Sequence, residues 1–150
     1  MVTKVTVKVE GLKELGARME QLSKDVALKI GRAATSAGAK VIKDQAISNA
    51  PDSEEPHVVD HMLVQPGNLK KNIVVKRITK SELTSEHIVT VRGKRKDGYA
   101  ARYGRLVEFG TVKMAPRSYL RAAMLARQQD AFEKIKTTLA KRITKAERTK

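Results

Sequence analysis

The longest regular pattern in the chain is an apolar stripe between Lys24 and Asn49, where small and aliphatic residues recur at intervals of three and four. Ser23 suits the position before a first helical turn, and Pro51 blocks continuation of the helix past residue 50. We therefore predict a helix from about Lys24 to about Asn49. Its central face is rich in alanine and glycine, so another element is expected to pack closely against it.

The core available to this helix is small and aliphatic. The chain has 150 residues, of which 41% are hydrophobic and only 3% aromatic. This length suits one domain over residues 1–150. The sequence has no cysteine, which excludes disulfides, thiolate metal sites and cysteine nucleophiles. Its first residues alternate in polarity and lack the apolar block of a signal peptide, and no stretch approaches the roughly 20 apolar residues of a membrane span. We expect a protein of the soluble phase.

The remaining periodic segments predict an α+β fold in which a small antiparallel sheet packs against the long central helix and a C-terminal helix. Alternating residues indicate strands, and intervals of three and four indicate helices. In chain order, the predicted elements are a strand at Thr3–Glu10, a short helix from Leu12 to Leu22, strands at Ile73–Ile78 and His87–Arg92, a third extended segment at Ala101–Phe109 and a C-terminal helix from Pro116.

Three segments lack a clear period. Residues 51–67 hold three of the four prolines and four acids, and this predicts a long loop that stays mobile until a partner docks. Residues 93–102 predict a basic hairpin region. The last residues, 144–150, predict a basic tail that frays.

The net charge of +15 is confined to one half of the chain. Residues 1–68 hold nine basic and nine acidic residues, so the whole excess lies in residues 69–150. A one-sided field of this kind favours a polyanion or an acidic protein surface as partner.

The cations that we consider candidates for docking or for facing DNA lie within or beside the tract GKRKDG at residues 93–98. They could hold phosphates by Coulomb attraction and counterion release, they could dock on an acidic protein, or they could be a solvated tip that keeps an exposed strand edge from pairing. These candidates are Arg92, Lys94, Arg95, Lys96, Arg102 and Arg105.

A catalytic or metal-binding constellation is hard to find. His57 and His61 stand four residues apart with Asp60 between them, a spacing that suits a metal only on a helix. They lie between Pro56 and Pro66 in the predicted loop, so solvated histidines are the simpler interpretation. We expect no enzyme, no metal and no cofactor, while a metallohydrolase using these histidines stays as a third hypothesis.

The most specific segment of the chain is Tyr103 to Thr111. Here Val107 is expected to extend a strand, Phe109 to anchor the core and Gly110 to permit a sharp exit. Glu108 is an isolated acid among cations, which favours an ion pair with Arg105 or Arg117 over a role as general base.

Three segments follow one another in a fixed order: Gly67–Ile73, Tyr103–Thr111 and Met114–Arg121. Together they resemble the gp-ten-like tail-component family of lambdoid-type siphophages, although Ser118-Tyr119 departs from the Pro-Phe that the family often has. The residues that carry the resemblance are Gly67, Asn68, Leu69, Ile73, Tyr103, Val107, Glu108, Phe109, Gly110, Thr111, Pro116, Arg117 and Leu120.

The resemblance implies a structural virion protein that joins or completes the phage tail at the head–tail interface. It implies a ring of identical copies, six-fold on the tail side, that docks on connector and tail-tube proteins and lies close to packaged DNA. The virion would be its final location and the host cytoplasm the place of its assembly. The alternative from composition is a sequence-nonspecific nucleic-acid-binding protein that uses its basic C-terminal half.

Overall fold

A computed structural model describes residues 11–59, 61–78, 84–93 and 99–149 of the chain. The predicted strand Thr3–Glu10 lies outside these residues. The elements are α1 (Leu12–Glu20), α2 (Lys24–Asn49), β1 (His57–Val59), β2 (Met62–Val64), α3 (Asn68–Asn72), β3 (Ile73–Ile78), β4 (Glu86–Val91), α4 (Ala100–Phe109) and α5 (Tyr119–Glu147).

The two long helices, α2 and α5, pack against each other along their length and run antiparallel. Ile30 near the start of α2 shares a buried cluster with Ile143 near the end of α5. At the other end, Asn49 Nδ2 donates to the Tyr119 carbonyl over 3.5 Å. The predicted helix Lys24–Asn49 is confirmed.

The glycine in the centre of α2 explains how closely the two helices approach. A Cβ on Gly38 would lie 2.6 Å from Ile135 Cγ1 and 3.0 Å from the Ala131 carbonyl oxygen. Any larger residue would push the helices apart, because a packed core does not absorb an extra carbon without strain.

Strands β3 and β4 form an antiparallel hairpin that packs on α2. Its register pairs Ile73 with Val91 at one end and Ile78 with Glu86 at the other. The predicted strands are confirmed, and with them the α+β fold of an antiparallel sheet against a long central helix and a C-terminal helix.

Among the described residues, the core forms two mainly aliphatic clusters. The larger one joins α2, α3, β3, α4 and α5, and the smaller one joins α1, α2 and α5 through Leu15, Ile30 and Ile143. Beside the smaller cluster, Arg18 of α1 makes an ion pair of 2.6 Å with Glu147 of α5. The larger cluster consists of Ile42, Ala46, Ala50, Leu69, Ile73, Val107, Tyr119, Ala123 and Ala131.

The prediction of an extended segment at Ala101–Phe109 is wrong, because these residues belong to α4. The buried positions of this segment are Ala100, Gly104, Val107 and Glu108, which lie on one helical face. Phe109 points away from that face and is 75% exposed, so it does not anchor the core.

Other boundaries also differ from expectation. The segment 51–67 contains the short antiparallel pair β1–β2, with His57 opposite Val64, and is therefore not a structureless loop throughout. In the predicted hairpin region 93–102, residues 100–102 are the start of α4 and not part of a hairpin, while residues 94–98 lie outside the described part of the chain. The C-terminal helix begins at Tyr119 instead of Pro116, and residues 144–147 form its last turn. Among the described residues, no helix is long and apolar enough to cross a membrane.

Candidate functional site

The second and third of the three resembling segments meet where α4 ends and α5 begins. Tyr119 is almost fully buried there, and its hydroxyl donates to the Gly104 carbonyl over 3.4 Å. A Cβ on Gly104 would stand 2.7 Å from that hydroxyl oxygen and 3.0 Å from Leu69 Cδ1. Burial, followed by the nearby Glu108 carboxylate, raises the pKa of Tyr119, so the phenol stays protonated as a donor.

Glu108 lies in α4, and its carboxylate caps the N-terminus of α5. Its Oε2 accepts the N–H of Leu120 over 2.8 Å, and its Oε1 accepts the N–H of Arg121 over 3.0 Å. No side chain at the start of α5 caps the helix itself, since Ser118 instead donates to the Glu108 carbonyl. A carboxylate is favoured at this end by the helix dipole and by charge-assisted hydrogen bonds.

The expected ion pair of Glu108 with Arg105 or Arg117 is therefore wrong. The buried carboxylate uses both oxygens on backbone donors of α5. Its role is structural, as expected, but the partner is a helix terminus.

The turn between α4 and α5 is fixed by backbone geometry. Gly110 has φ +76°, and a Cβ there would lie 2.8 Å from both the Met114 carbonyl oxygen and the Pro116 nitrogen. Thr111 and Met114 form a bridge across the turn, and the Arg117 N–H donates to the Val107 carbonyl over 2.8 Å. The segment is thereby held as a tight, rigid projection.

The first resembling segment, Gly67–Ile73, packs against α4 through helix α3. Gly67, with φ +71°, is the residue before α3, and Asp52 Oδ1 accepts its N–H over 2.6 Å. That hydrogen bond, more than the neighbouring Lys70, holds the pKa of Asp52 below its ordinary value. Asn72 at the end of α3 accepts the Arg92 N–H on its carbonyl, which ties α3 to the end of β4.

Most residues of the resemblance fall into two groups, while Gly67, Asn68 and Gly110 are half-buried and Glu108 is a buried acid. Leu69, Ile73 and Val107 belong to the larger core cluster, with Tyr103 and Leu120 packed against it. The exposed ones are Phe109, Thr111, Pro116 and Arg117. Most residues of the resemblance therefore stabilise the fold, and those that stay exposed lie at or near the turn between α4 and α5.

Two large apolar side chains stand in solvent on that turn. Phe109 is 75% exposed and Val112 is fully exposed. We refer to these two residues as the apolar projection. Exposed apolar residues are common singly, but a pair on a rigid protrusion is typical of a contact surface.

A groove of about 570 Å³ lies between α2, β4 and α5. We refer to it as the apolar groove. Ile88 and Met124 on its lining are 40% and 48% exposed. Gln128 Oε1 also lines the groove, where it is buried and has no hydrogen-bond partner within the described part of the chain. Sequence reasoning did not find this groove, because its walls come from three distant segments.

One end of the apolar groove carries a small polar cluster. Thr35 Oγ1 lies 2.8 Å from His87 Nδ1 and 3.4 Å from Ser85 Oγ, and it also donates to the Gly31 carbonyl over 2.9 Å. Burial, and then Arg77, lowers the pKa of His87, which favours the neutral imidazole. The serine and the histidine both contact the threonine, so this geometry does not make a Ser–His nucleophile pair.

The candidate cations are only partly described. Arg92, Arg102 and Arg105 are exposed, whereas Lys94, Arg95 and Lys96 lie outside the described residues. Gly93 lies against Ala101, since a Cβ on it would be 3.6 Å from the alanine Cβ. This brings the end of β4, beside Arg92, to the start of α4, beside Arg102.

A second basic surface lies on the last four turns of α5. Lys134, Lys141, Lys145 and Arg148 are all exposed and follow one another at helical spacing. The shallow surface that they line also holds four threonines and no acid. We refer to these four cations as the α5 basic stripe. The sequence pattern that identifies this stripe is the 7-, 4- and 3-residue spacing of its cations.

The histidines of the 51–67 segment do not form the pattern of a helical metal site. His57 lies in β1 with its ring 5.8 Å from that of Tyr103, while His61 lies in the turn with φ 62°. Within residues 11–59, 61–78, 84–93 and 99–149, no group of three potential ligands could hold a metal ion.

Comparison with known protein families places most of the chain in one of them. The family model described as "Bacteriophage HK97-gp10, putative tail-component" matches residues 13–110. The suspected resemblance is confirmed over this range, which runs from α1 to the glycine after α4, while the segment Met114–Arg121 and α5 lie beyond it. Searches of curated proteins and of solved structures gave no significant match.

Proposed function

Since the chain belongs to the HK97-gp10-like family of bacteriophage tail components, we propose that it is the structural subunit that joins or completes the tail at the head–tail interface. In this proposal identical copies form a ring on the particle axis, and the ring docks on connector and tail-tube proteins. The chain would be made in the host cytoplasm and end in the neck of the virion. Its mechanism is ordered docking, without a chemical reaction.

One observation supports a docking role above the others. The end of α4 and the turn that follows it are held by backbone hydrogen bonds from Gly110 to Leu106, between Thr111 and Met114, and from Arg117 to Val107, while the two large apolar side chains there, Phe109 and Val112, point to solvent. Exposed apolar side chains that lie close together are typical of a surface that another protein covers. A subunit that is completed by its neighbours has this property.

The test compares phage that lack the gene with the same phage supplied with the wild-type protein. Without the protein, electron microscopy should show DNA-filled heads and separate tails, and supplying the protein should restore joined particles. Imaging of the restored neck should then locate the turn 109–114 at a contact between rings. Infectious, normally joined particles in the absence of the protein would refute the proposal.

A second candidate function is contact with duplex DNA, favoured by the α5 basic stripe. Between Lys134 and Thr149 there are six cations and one acid, Glu147, which is bound to Arg18. Exposed cations at helical spacing neutralise phosphates without reading sequence. A neck ring encloses the path of the DNA, so both functions can belong to one subunit.

Binding to a short duplex at two salt concentrations tests this candidate. Each phosphate contact contributes a slope of about 0.9 in a plot of log affinity against log salt. Lys141→Glu should weaken binding and lower that slope, whereas Lys113→Glu on the distant turn, which makes the same change in net charge, should change both less. Equal loss in the two variants would mean that only net charge matters and that the stripe is not the DNA site.

A further inference from the structure

The apolar projection is an exposed feature that the fold holds in place at both ends. Phe109 is the last residue of α4, and Val112 lies at the tip of the turn closed by the bridge between Thr111 and Met114. Both side chains keep most or all of their surface in water. Burying them in a contact would release that water, which is the main driving force of association.

The apolar groove is a matching concavity elsewhere on the same molecule. Its volume of about 570 Å³ falls in the range of roughly 300–1,000 Å³ that is usual for binding pockets. That volume is ample for one aromatic and one aliphatic side chain. Ile88 and Met124 supply exposed apolar walls.

Charge decides which surface of a second copy suits the groove. Two chains of net charge +15 repel each other, so a contact between copies must keep cations apart. The groove lining contains no lysine or arginine and one acid, Glu86. The apolar projection is flanked by the exposed cations Arg105, Lys113 and Arg117. The apolar projection with its flanking cations is therefore complementary in charge to a groove whose lining has no cation.

We infer that Phe109 and Val112 of one copy insert into the groove between α2, β4 and α5 of a second copy. The inference rests on the proposed ring assembly and names the contact that would build it. Because the projection and the groove are different surfaces, each copy keeps one of each available for a further neighbour. A contact of this heterologous kind closes into a ring when its rotation allows.

The absence of native cysteine permits a direct test by disulfide capture. A Val112→Cys chain and a Met124→Cys chain of different mass are co-assembled, both in purified protein and in phage particles, and then oxidised. The expected product is the mixed dimer on a non-reducing gel. The matched control replaces Met124→Cys with Ala126→Cys, which is also exposed on α5 but does not line the groove.

The outcomes of disulfide capture separate the inference from the proposed function. A mixed dimer with Met124→Cys and little with Ala126→Cys supports the contact. Equal yields with both, capture of Val112→Cys only with itself, or no capture in particles that contain the protein would overturn it. Particles that join normally without the protein would instead refute the proposed function.

A second measurement does not depend on cysteine geometry. Phe109→Ser should leave thermal stability near the wild-type value because the ring is largely in solvent, yet weaken association between copies at least about tenfold. Leu125→Ser is the matched control, since this leucine is 46% exposed and lies outside the groove lining. Association of Phe109→Ser that equals that of Leu125→Ser, measured by sedimentation, would contradict the inference.

Discussion

Replacing Glu108 with alanine tests whether α5 depends on a cap supplied by α4. The carboxylate is 7% exposed and accepts two backbone N–H groups, at 2.8 and 3.0 Å. A hydrogen bond to a charged group contributes about 1.5–3 kcal/mol, and two on one carboxylate are not additive, so we expect a loss of about 2–4 kcal/mol. For a chain of this length that corresponds to a melting temperature lower by about 5–15 °C.

The assay is urea unfolding followed by circular dichroism, supported by calorimetry. Glu108→Gln keeps the shape and one acceptor oxygen and should lose about half as much free energy of unfolding as the alanine variant. Glu133→Ala removes one negative charge from an exposed position of α5 and should change stability by less than about 0.5 kcal/mol. A Glu108→Ala protein as stable as Glu133→Ala would refute the capping argument.

Three further predictions concern glycines and a histidine. Gly104→Ala should lower the free energy of unfolding by about 1–3 kcal/mol, because its Cβ would meet the buried tyrosine of α5 at 2.7 Å. In the same denaturation assay, Gly16→Ala on α1 should stabilise the protein by up to about 1 kcal/mol, because its Cβ would have nothing within 4 Å. Gly110→Ala places a side chain at φ +76° against two backbone atoms and should lower the free energy of unfolding by about 1–3 kcal/mol, measured as a lower melting temperature. An unchanged melting temperature would mean that the turn is not tight. Burial lowers the pKa of His87 below its ordinary 6.5, so the unfolded state binds more protons in that range, and the unfolding free energy should fall as the pH drops through 6.5 towards the folded value. His87→Gln should flatten this dependence in urea titrations at several pH values, and His61→Gln, which is exposed, should not.

Periodic segments with local causes were predicted correctly. The helix Lys24–Asn49 has an apolar stripe on one side, and Pro51 follows its end, so its bounds follow from neighbouring residues alone. The hairpin of β3 and β4 likewise follows from two alternating runs joined by a polar connection. The small residues of α2 correctly indicated a close neighbour, although the sequence could not say that α5 would occupy that place.

The prediction of an extended segment at Ala101–Phe109 was wrong because the buried face of this helix looks polar in the sequence. Two of its buried positions are Gly104 and Glu108, which carry no apolar signal. The first is buried because a tyrosine ring stands against it, and the second because a helix N-terminus does. Both partners are more than ten residues away, so no local pattern reports them. The exposed Phe109 then supplied a misleading apolar signal.

By itself, the sequence determined the α+β class, the long helix and the segment order that identifies a phage tail component, because these depend on local periodicity and on short ordered motifs. Only the tertiary structure decided what those motifs do. It buries Glu108 at the end of α5, turns Phe109 and Val112 outward, and assembles the apolar groove from three distant segments. The reason is physical: burial and complementarity are properties of pairs of surfaces, and the chain brings those surfaces together only when it folds.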